Sequence, residues 1–236
     1  MAQKLIVQKL ANIGQSQVLR FFDRLDAAGR EKILMQLESL DLPMIAELVE
    51  TQVKVKASVS LPKEIQPVKP FRRVPSPDQK DLYARALARG RELLHAGKVA
   101  AFLVAGGQGT RLGYDGPKGE YPVTPVKNKP LFQVFAEQLL AHSRLHGATI
   151  PWYIMTSEAN DAATRAFFHR HSHFGYREDD VFFFQQGMMP AFAFNGEMLL
   201  AERDSLALSP DGHGGSLRAL FRSGALADMQ RRGIEH

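Results

Sequence analysis

The sequence predicts an α/β fold, a mostly parallel sheet covered by helices on both faces and preceded by a small helical region. Three observations carry this reading. From Lys98 onward, short apolar runs alternate with amphipathic stretches at helical spacing, the pattern of strands joined by crossover helices. The run Val-Ala-Ala-Phe-Leu-Val at 99–104 is wholly apolar, as a buried strand is, and it breaks at once into Gly106, Gly107 and Gly109. Residues 16–50, in contrast, repeat apolar residues only at helical spacing.

Taken in order, Val18, Leu19, Phe21, Phe22 and Leu25 set the apolar face of a first helix, with Ala27-Ala28-Gly29 as its stop. Ile33, Leu34, Leu37 and Leu40 set a second before Asp41-Leu-Pro43, and a third short helix covers 44–49. Residues 51–77 carry Pro62, Pro67, Pro70, Pro75 and Pro77. They read as an extended linker, because the alternation over 53–60 has no partner strand. Ser76 or Asp78 caps a helix over 79–96, which Gly90 weakens midway. Then follow strand 99–104, helix 131–146 with Phe132, Phe135, Leu139 and Leu140 inward, and strand 152–156. A helix opened by Ser157 runs to about residue 171, and strand 181–184 comes next. Residues 191–200 read as a β-hairpin, with Asn195-Gly196 supplying a type I′ turn. A second glycine cluster, 212–215, precedes a helix over 216–221. The expected division is 1–50 helical, 51–77 linker and 78–236 ligand-binding.

Composition narrows the function. With 44% hydrophobic residues the chain can bury a core, and without cysteine it holds neither disulfide nor thiolate metal site. No apolar run approaches the ~20 residues that span a bilayer, and the N-terminus is too polar for a signal peptide. We therefore expect a cytoplasmic protein with no membrane partner. Thirty Lys and Arg against twenty-five Asp and Glu suit an anionic ligand. The basic residues are scattered, so no nucleic-acid footprint is expected.

The ligand is read from the loop after the first strand. Closely spaced glycines let backbone N–H groups converge on an anion, and Arg111 and Lys118 bring two cations to the same loop. This combination at a strand end suits a polyphosphate. The loop matches neither common fingerprint. Leu112 stands where a dinucleotide loop needs Gly or Ala, and Lys118 lacks the Gly before it and the Ser or Thr after it of the ATPase loop.

Leu-Val-Ala-Gly-Gly-Gln-Gly-Thr-Arg-Leu-Gly at 103–113 and Pro-Lys-Gly at 117–119 resemble the signature of the UDP-sugar pyrophosphorylases, in particular the eukaryotic-type UDP-N-acetylhexosamine enzymes. Phe-Phe-Gln-Gln-Gly-Met-Met-Pro-Ala at 183–191 and Pro-Asp-Gly-His-Gly-Gly at 210–215 resemble two further phrases of that family, in the same order. A weaker likeness is Leu19-Arg-Phe-Phe22. From the residues alone, Gln185 or Gln186 at a strand end can offer the donor and acceptor that a uracil edge asks for. The resemblance points to Gln186.

The resemblance implies an incomplete Rossmann-like nucleotidyltransferase sheet and the reaction of UTP with N-acetylglucosamine 1-phosphate to give UDP-N-acetylglucosamine and pyrophosphate. Arg111 and Lys118 would be the catalytic cations. Leu103, Ala105, Gly106, Gly107, Gln108, Gly109, Thr110, Gln186 and Gly212 would bind the nucleotide, and Mg²⁺ would travel with it. His213, where the family usually has Asn, would face the amino-sugar 1-phosphate. No residue is assigned to a metal: His169, His171 and His173 read as a solvated helix end, because zinc would need further ligands. The family's metal-linked Asp and its later sugar contacts have no counterpart in this chain. A UDP-glucose or broad UDP-sugar pyrophosphorylase is the near alternative, and a non-catalytic uridine-nucleotide-binding module the alternative of another class. A dehydrogenase is disfavoured by Leu112. An exposed sheet edge is expected to favour association.

Overall fold

The structure is a computed structural model that describes residues 2–55 and 62–236. The chain divides into two compact units, Met1–Pro67 with Met188–Pro210, and Val68–Gly187 with Asp211–His236. The segment 188–210, expected within a continuous 78–236 part, therefore belongs to the same unit as the N-terminal helices.

The first unit is built from α1 (Ala2–Asn12), α2 (Ala27–Ser39) and α3 (Leu42–Leu48), with a π-turn over Val49–Val53. Its core gathers Leu10, Val18, Ile33, Leu37 and Ile45 with Met198 and Leu206, which come from the far segment. That segment supplies β4 (Met188–Pro190), β5 (Leu200–Glu202), β6 (Ser205–Leu206) and β7 (Leu208–Pro210). Here β4 pairs with β7 and β5 with β6, both antiparallel. The first predicted helix is instead two short 3-10 turns, Ser16–Leu19 and Phe22–Arg24. Ala27-Ala28-Gly29 starts a helix rather than stopping one: the Asp26 side chain accepts the Gly29 N–H at 2.8 Å and caps α2. The buried Gln15 amide takes the place of a strand neighbour, donating to Gly196 O at 2.7 Å and accepting the Met198 N–H at 2.8 Å. The hairpin turn is not type I′. Gly196 N–H donates to Ala193 O and Gly196 alone has positive φ, +89°, which makes a three-residue loop closed by a left-handed glycine. Of the alternating run, residues 56–60 lie outside the described residues.

The second unit opens with a 3-10 turn over Pro77–Gln79 and then α4 (Lys80–His95), which runs unbroken through Gly90 and has no side-chain cap. Its sheet is β1 (Ala101–Val104), β2 (Trp152–Thr156) and β3 (Val181–Gln185), parallel and in the order β1-β2-β3. Every residue of β2 is buried and the faces alternate with period two. Trp152 and Ile154 pack on Phe132 and Ala136 of α5 (Leu131–His146) and Phe167 and Phe168 of α6 (Asp161–Arg170). Tyr153 and Met155 pack on Ala219 and Leu220 of α7 (Ser216–Arg222) and Ala225 of α8 (Ala225–Arg231). The two-faced layering expected from the sequence is present. On the far side of β1, Ala100 N–H donates to His236 O and His236 N–H to Lys98 O. This is the hydrogen-bond alternation of a parallel pair.

Candidate active site

The site grows from the carboxyl end of β1. Ala105 N–H makes the last ladder bond, to Met155 O at 2.7 Å, and the chain then leaves the sheet. It folds back on itself: Lys118 N–H donates to Gly107 O at 3.1 Å and Gly109 N–H to Gly116 O at 2.8 Å, so Gln108 and Pro117 face each other as an antiparallel bridge. The far end of this loop is a 3-10 turn, Thr110–Leu112. Beneath it the Tyr114 ring fills the space where side chains at Gly109 and Gly116 would stand. Its hydroxyl donates to Glu120 at 3.2 Å. Burial pushes the Glu120 carboxyl above its ordinary value, with the Tyr114 bond opposing.

The fold back brings Lys118 to the glycines. Its ammonium lies 3.8 Å from where a Gly107 side chain would begin. Lys118 is exposed while its neighbours Pro117 and Gly119 are buried. Gly119 is required by packing, because a side chain there would overlap the Phe132 ring of α5. The Pro-Lys-Gly phrase is thus an anchor on both sides of an exposed cation. Arg111 is also exposed, on the 3-10 turn, and makes no ion pair among the described residues.

The adjacent strands complete the floor. Gln186 N–H donates to Thr156 O at 2.8 Å, which extends the β2–β3 ladder by one step. The Gln186 side-chain amide then lies across Gly106: an added Cβ would stand 2.9 Å from Oε1 and 3.0 Å from Nε2. Gln185 is exposed at the end of β3 and contributes to holding the Asp161 carboxyl below its ordinary value. Asp161 accepts from Thr156 Oγ1 at 2.5 Å and Arg165 Nε at 2.8 Å. Burial acts to raise its carboxyl, but these hydrogen bonds outweigh it and hold the group below its ordinary value. Asn160, 1% exposed, ties the neighbouring turn to the loop. Its Oδ1 accepts Ser157 N–H and Oγ–H, both at 2.9 Å, and its Nδ2 donates to Ala105 O at 3.0 Å and Gly107 O at 3.5 Å. Because Ser157 closes this turn first, α6 begins at Asp161 rather than at Ser157.

The second glycine cluster is pinned to the same place. Asp211 N–H donates to Gly187 O at 3.0 Å, and the Asp211 carboxylate occupies the space beside both Gly187 and Gly215. Its buried Oδ1 meets no hydrogen-bond partner among the described residues. Gly212 has φ +64° with open space around it, and His213 is exposed. Leu103 is inward on β1, and Thr110 is exposed on the 3-10 turn.

The structure therefore brings together Ala105, Gly106, Gly107, Lys118 and Gln186 by direct contact, and Gly212 through Asp211 and Gly187. It measures no contact from Arg111 or His213 to that group. His171 is taken up by packing, its ring against Phe167 and Phe174 and its Nδ1 at 2.8 Å from Phe167 O. An apolar cavity of about 540 Å³ between α1 and α2 shares no residue with this site. Asn160, Tyr114 and Asp211 are the supporting residues that motif reading passed over. The Ser-x-x-Asn spacing at 157–160 was the available signal for the first.

The family model described as UTP–glucose-1-phosphate uridylyltransferase matches residues 45–236. The chain belongs to this uridylyltransferase family. Among its relatives, UDP-N-acetylhexosamine pyrophosphorylase-like protein 1 of Xenopus tropicalis is 40% identical, over 94% of this chain and 46% of the relative. UDP-N-acetylglucosamine pyrophosphorylase of Saccharomyces cerevisiae is 36% identical, over 97% of this chain and 50% of the relative. The crystal structure of UDP-N-acetylglucosamine pyrophosphorylase from Trypanosoma brucei superposes with a TM-score of 0.80 over 99% of this chain and 50% of that one, at 24% identity. A UDP-glucose pyrophosphorylase from Leishmania major is more distant, with a TM-score of 0.60 at 19% identity over 89% of this chain and 42% of that one. These likenesses place the mixed fold and the parallel sheet within the uridylyltransferase family. The chain spans about half the length of the curated relatives it matches.

Proposed function

We propose that the chain binds UTP and serves as the nucleotide-binding half of a uridylyltransferase that joins UTP and N-acetylglucosamine 1-phosphate into UDP-N-acetylglucosamine and pyrophosphate. The observation that carries the reading is the Gln186 amide lying across Gly106, which sets a base-reading donor and acceptor directly beside a glycine loop with exposed cations. The relatives named for N-acetylated amino sugars support the amino-sugar substrate.

The chemistry asks little of the protein beyond placement and charge. An oxygen of the sugar 1-phosphate attacks the α-phosphorus of UTP, a new P–O bond forms, and the bond to the β-phosphate oxygen breaks. The attacking oxygen is already anionic, so no general base is needed. Lys118 offsets charge at the α-phosphate, and Arg111 stabilises the departing pyrophosphate. Mg²⁺ would travel with the incoming nucleotide, held by its phosphates. Among the described residues no helix is long and apolar enough to cross a membrane. The cysteine-free sequence agrees with a cytoplasmic setting. His213 in place of the usual Asn favours a second reading, a UDP-glucose or broader sugar specificity, which His213→Asn would narrow toward the N-acetylated sugar.

The test is calorimetry of the chain with magnesium UTP, ATP and NAD. UTP is expected to bind tightest; equal or tighter binding of NAD overturns the reading.

A further inference from the structure

We propose that Asn160 is a positioning residue that sets the donor geometry of the phosphate loop, an inference that rests on the uridine-nucleotide reading above. A trans peptide is planar, so its C=O and the following N–H point in opposite directions. Holding the carbonyl of one residue therefore aims the N–H of the next. Asn160 Nδ2 reaches the carbonyls of Ala105 and Gly107, and Lys118 N–H reaches the second of these as well. Both carbonyls are turned toward the protein. The N–H groups of Gly106 and Gln108 are thereby turned away from it, and neither donates to any acceptor among the described residues.

Glycines at 106 and 107 would otherwise leave this backbone free to sample several orientations. Asn160 removes that freedom with an amide used to capacity, two acceptor contacts on Oδ1 and two donor contacts from Nδ2. The opposite orientation of the amide would set Oδ1 against two carbonyl oxygens, so the network fixes it. At 1% exposure the side chain acts through the backbone and does not itself meet a ligand. The ligand class it prepares the loop for is a polyphosphate.

Asn160→Asp tests this with a side chain of nearly the same shape. The carboxylate still accepts from Ser157 but cannot donate to the two carbonyls, and it repels them. UTP and inorganic tripolyphosphate are titrated by calorimetry, and uridine, which lacks phosphate, by NMR. The expected result is at least a tenfold loss of UTP and tripolyphosphate affinity, with uridine affinity changed less than twofold. Asn160→Ala, which removes the donor without adding a charge, is expected to show the same selective loss and serves as the second variant should the Asp form fail to fold. A merely structural role would weaken UTP and uridine alike, or lower only the melting temperature; either outcome overturns the proposal. If the unaltered chain binds tripolyphosphate but does not prefer UTP, the uridine reading fails, and the loop inference is decided by the effect of Asn160→Asp on tripolyphosphate alone. If it binds neither, both fail.

Discussion

Lys118 and Gly119 are chain neighbours under opposite constraints, one exposed and one packed against a ring. Gly119→Ala is expected to cost about 1–3 kcal/mol, the usual penalty for overpacking a filled core, read as a lower urea midpoint. An unchanged midpoint would mean that Phe132 yields without cost. Lys118→Ala and Arg111→Ala touch no core and should leave the midpoint alone. Each should weaken UTP binding by ~1.5–3 kcal/mol, the scale of a hydrogen bond to a charged group. Calorimetry showing under a twofold change for both would make the loop a plain turn. At this scale the motif residues were legible, because glycine and cation spacing is written locally in the sequence. The residues that hold them were not. The use of Tyr114 under Gly109 and of Asp211 between Gly187 and Gly215 is set by tertiary approach, which no local pattern encodes.

Elements were most legible where a long period meets a clear cap. The bounds of β2 and α5 follow the apolar pattern directly, and Gly147 closes α5 with φ +63°. Helix α8 was missed because its anchors are polar. Tyr153 Oη donates to Asp228 at 2.7 Å, and Arg231 and Arg232 each donate to the same carboxylate at 2.8 Å. Arg232 also reaches Asp180 at 3.0 Å and the carbonyl of Asp179. Burial acts to raise the Asp228 carboxyl, but the bonds from Tyr153 and Arg232 outweigh it and hold the group below its ordinary value. A group depressed in the folded state takes up its proton sooner when unfolded. Its stabilisation is therefore full at neutral pH and is lost as pH falls from the ordinary carboxylate range, ~3.9, through the depressed value. Asp228→Asn should cost roughly 1–2 kcal/mol at pH 7, discounted because both arginines are partly exposed, and should flatten the acid limb of a stability–pH curve. A parallel curve for the variant and the unaltered chain would place the acid sensitivity elsewhere.

At the scale of the molecule, the two-unit division was the least legible feature, because Met188–Pro210 joins the first unit through contacts far apart in sequence. Gln15 and Met198 are 183 positions apart, and only the buried amide reveals why a polar residue sits there. The layered sheet was legible because β-strand and helix periods alternate plainly after Lys98. What the second unit contains also bounds what it can do. The relatives the chain matches are about twice its length. The described site gathers Lys118 and Gln186 around the glycine loop, while His213 is exposed with no measured contact to them. UTP should dock, but the sugar phosphate would be poorly oriented, and orientation can supply ~7–11 kcal/mol of a barrier. The 236-residue chain is therefore expected to bind UTP and to release pyrophosphate from UTP and N-acetylglucosamine 1-phosphate only slowly. Calorimetry with UTP and an assay of pyrophosphate release test the two. Rapid turnover would show that the residues present orient both substrates by themselves.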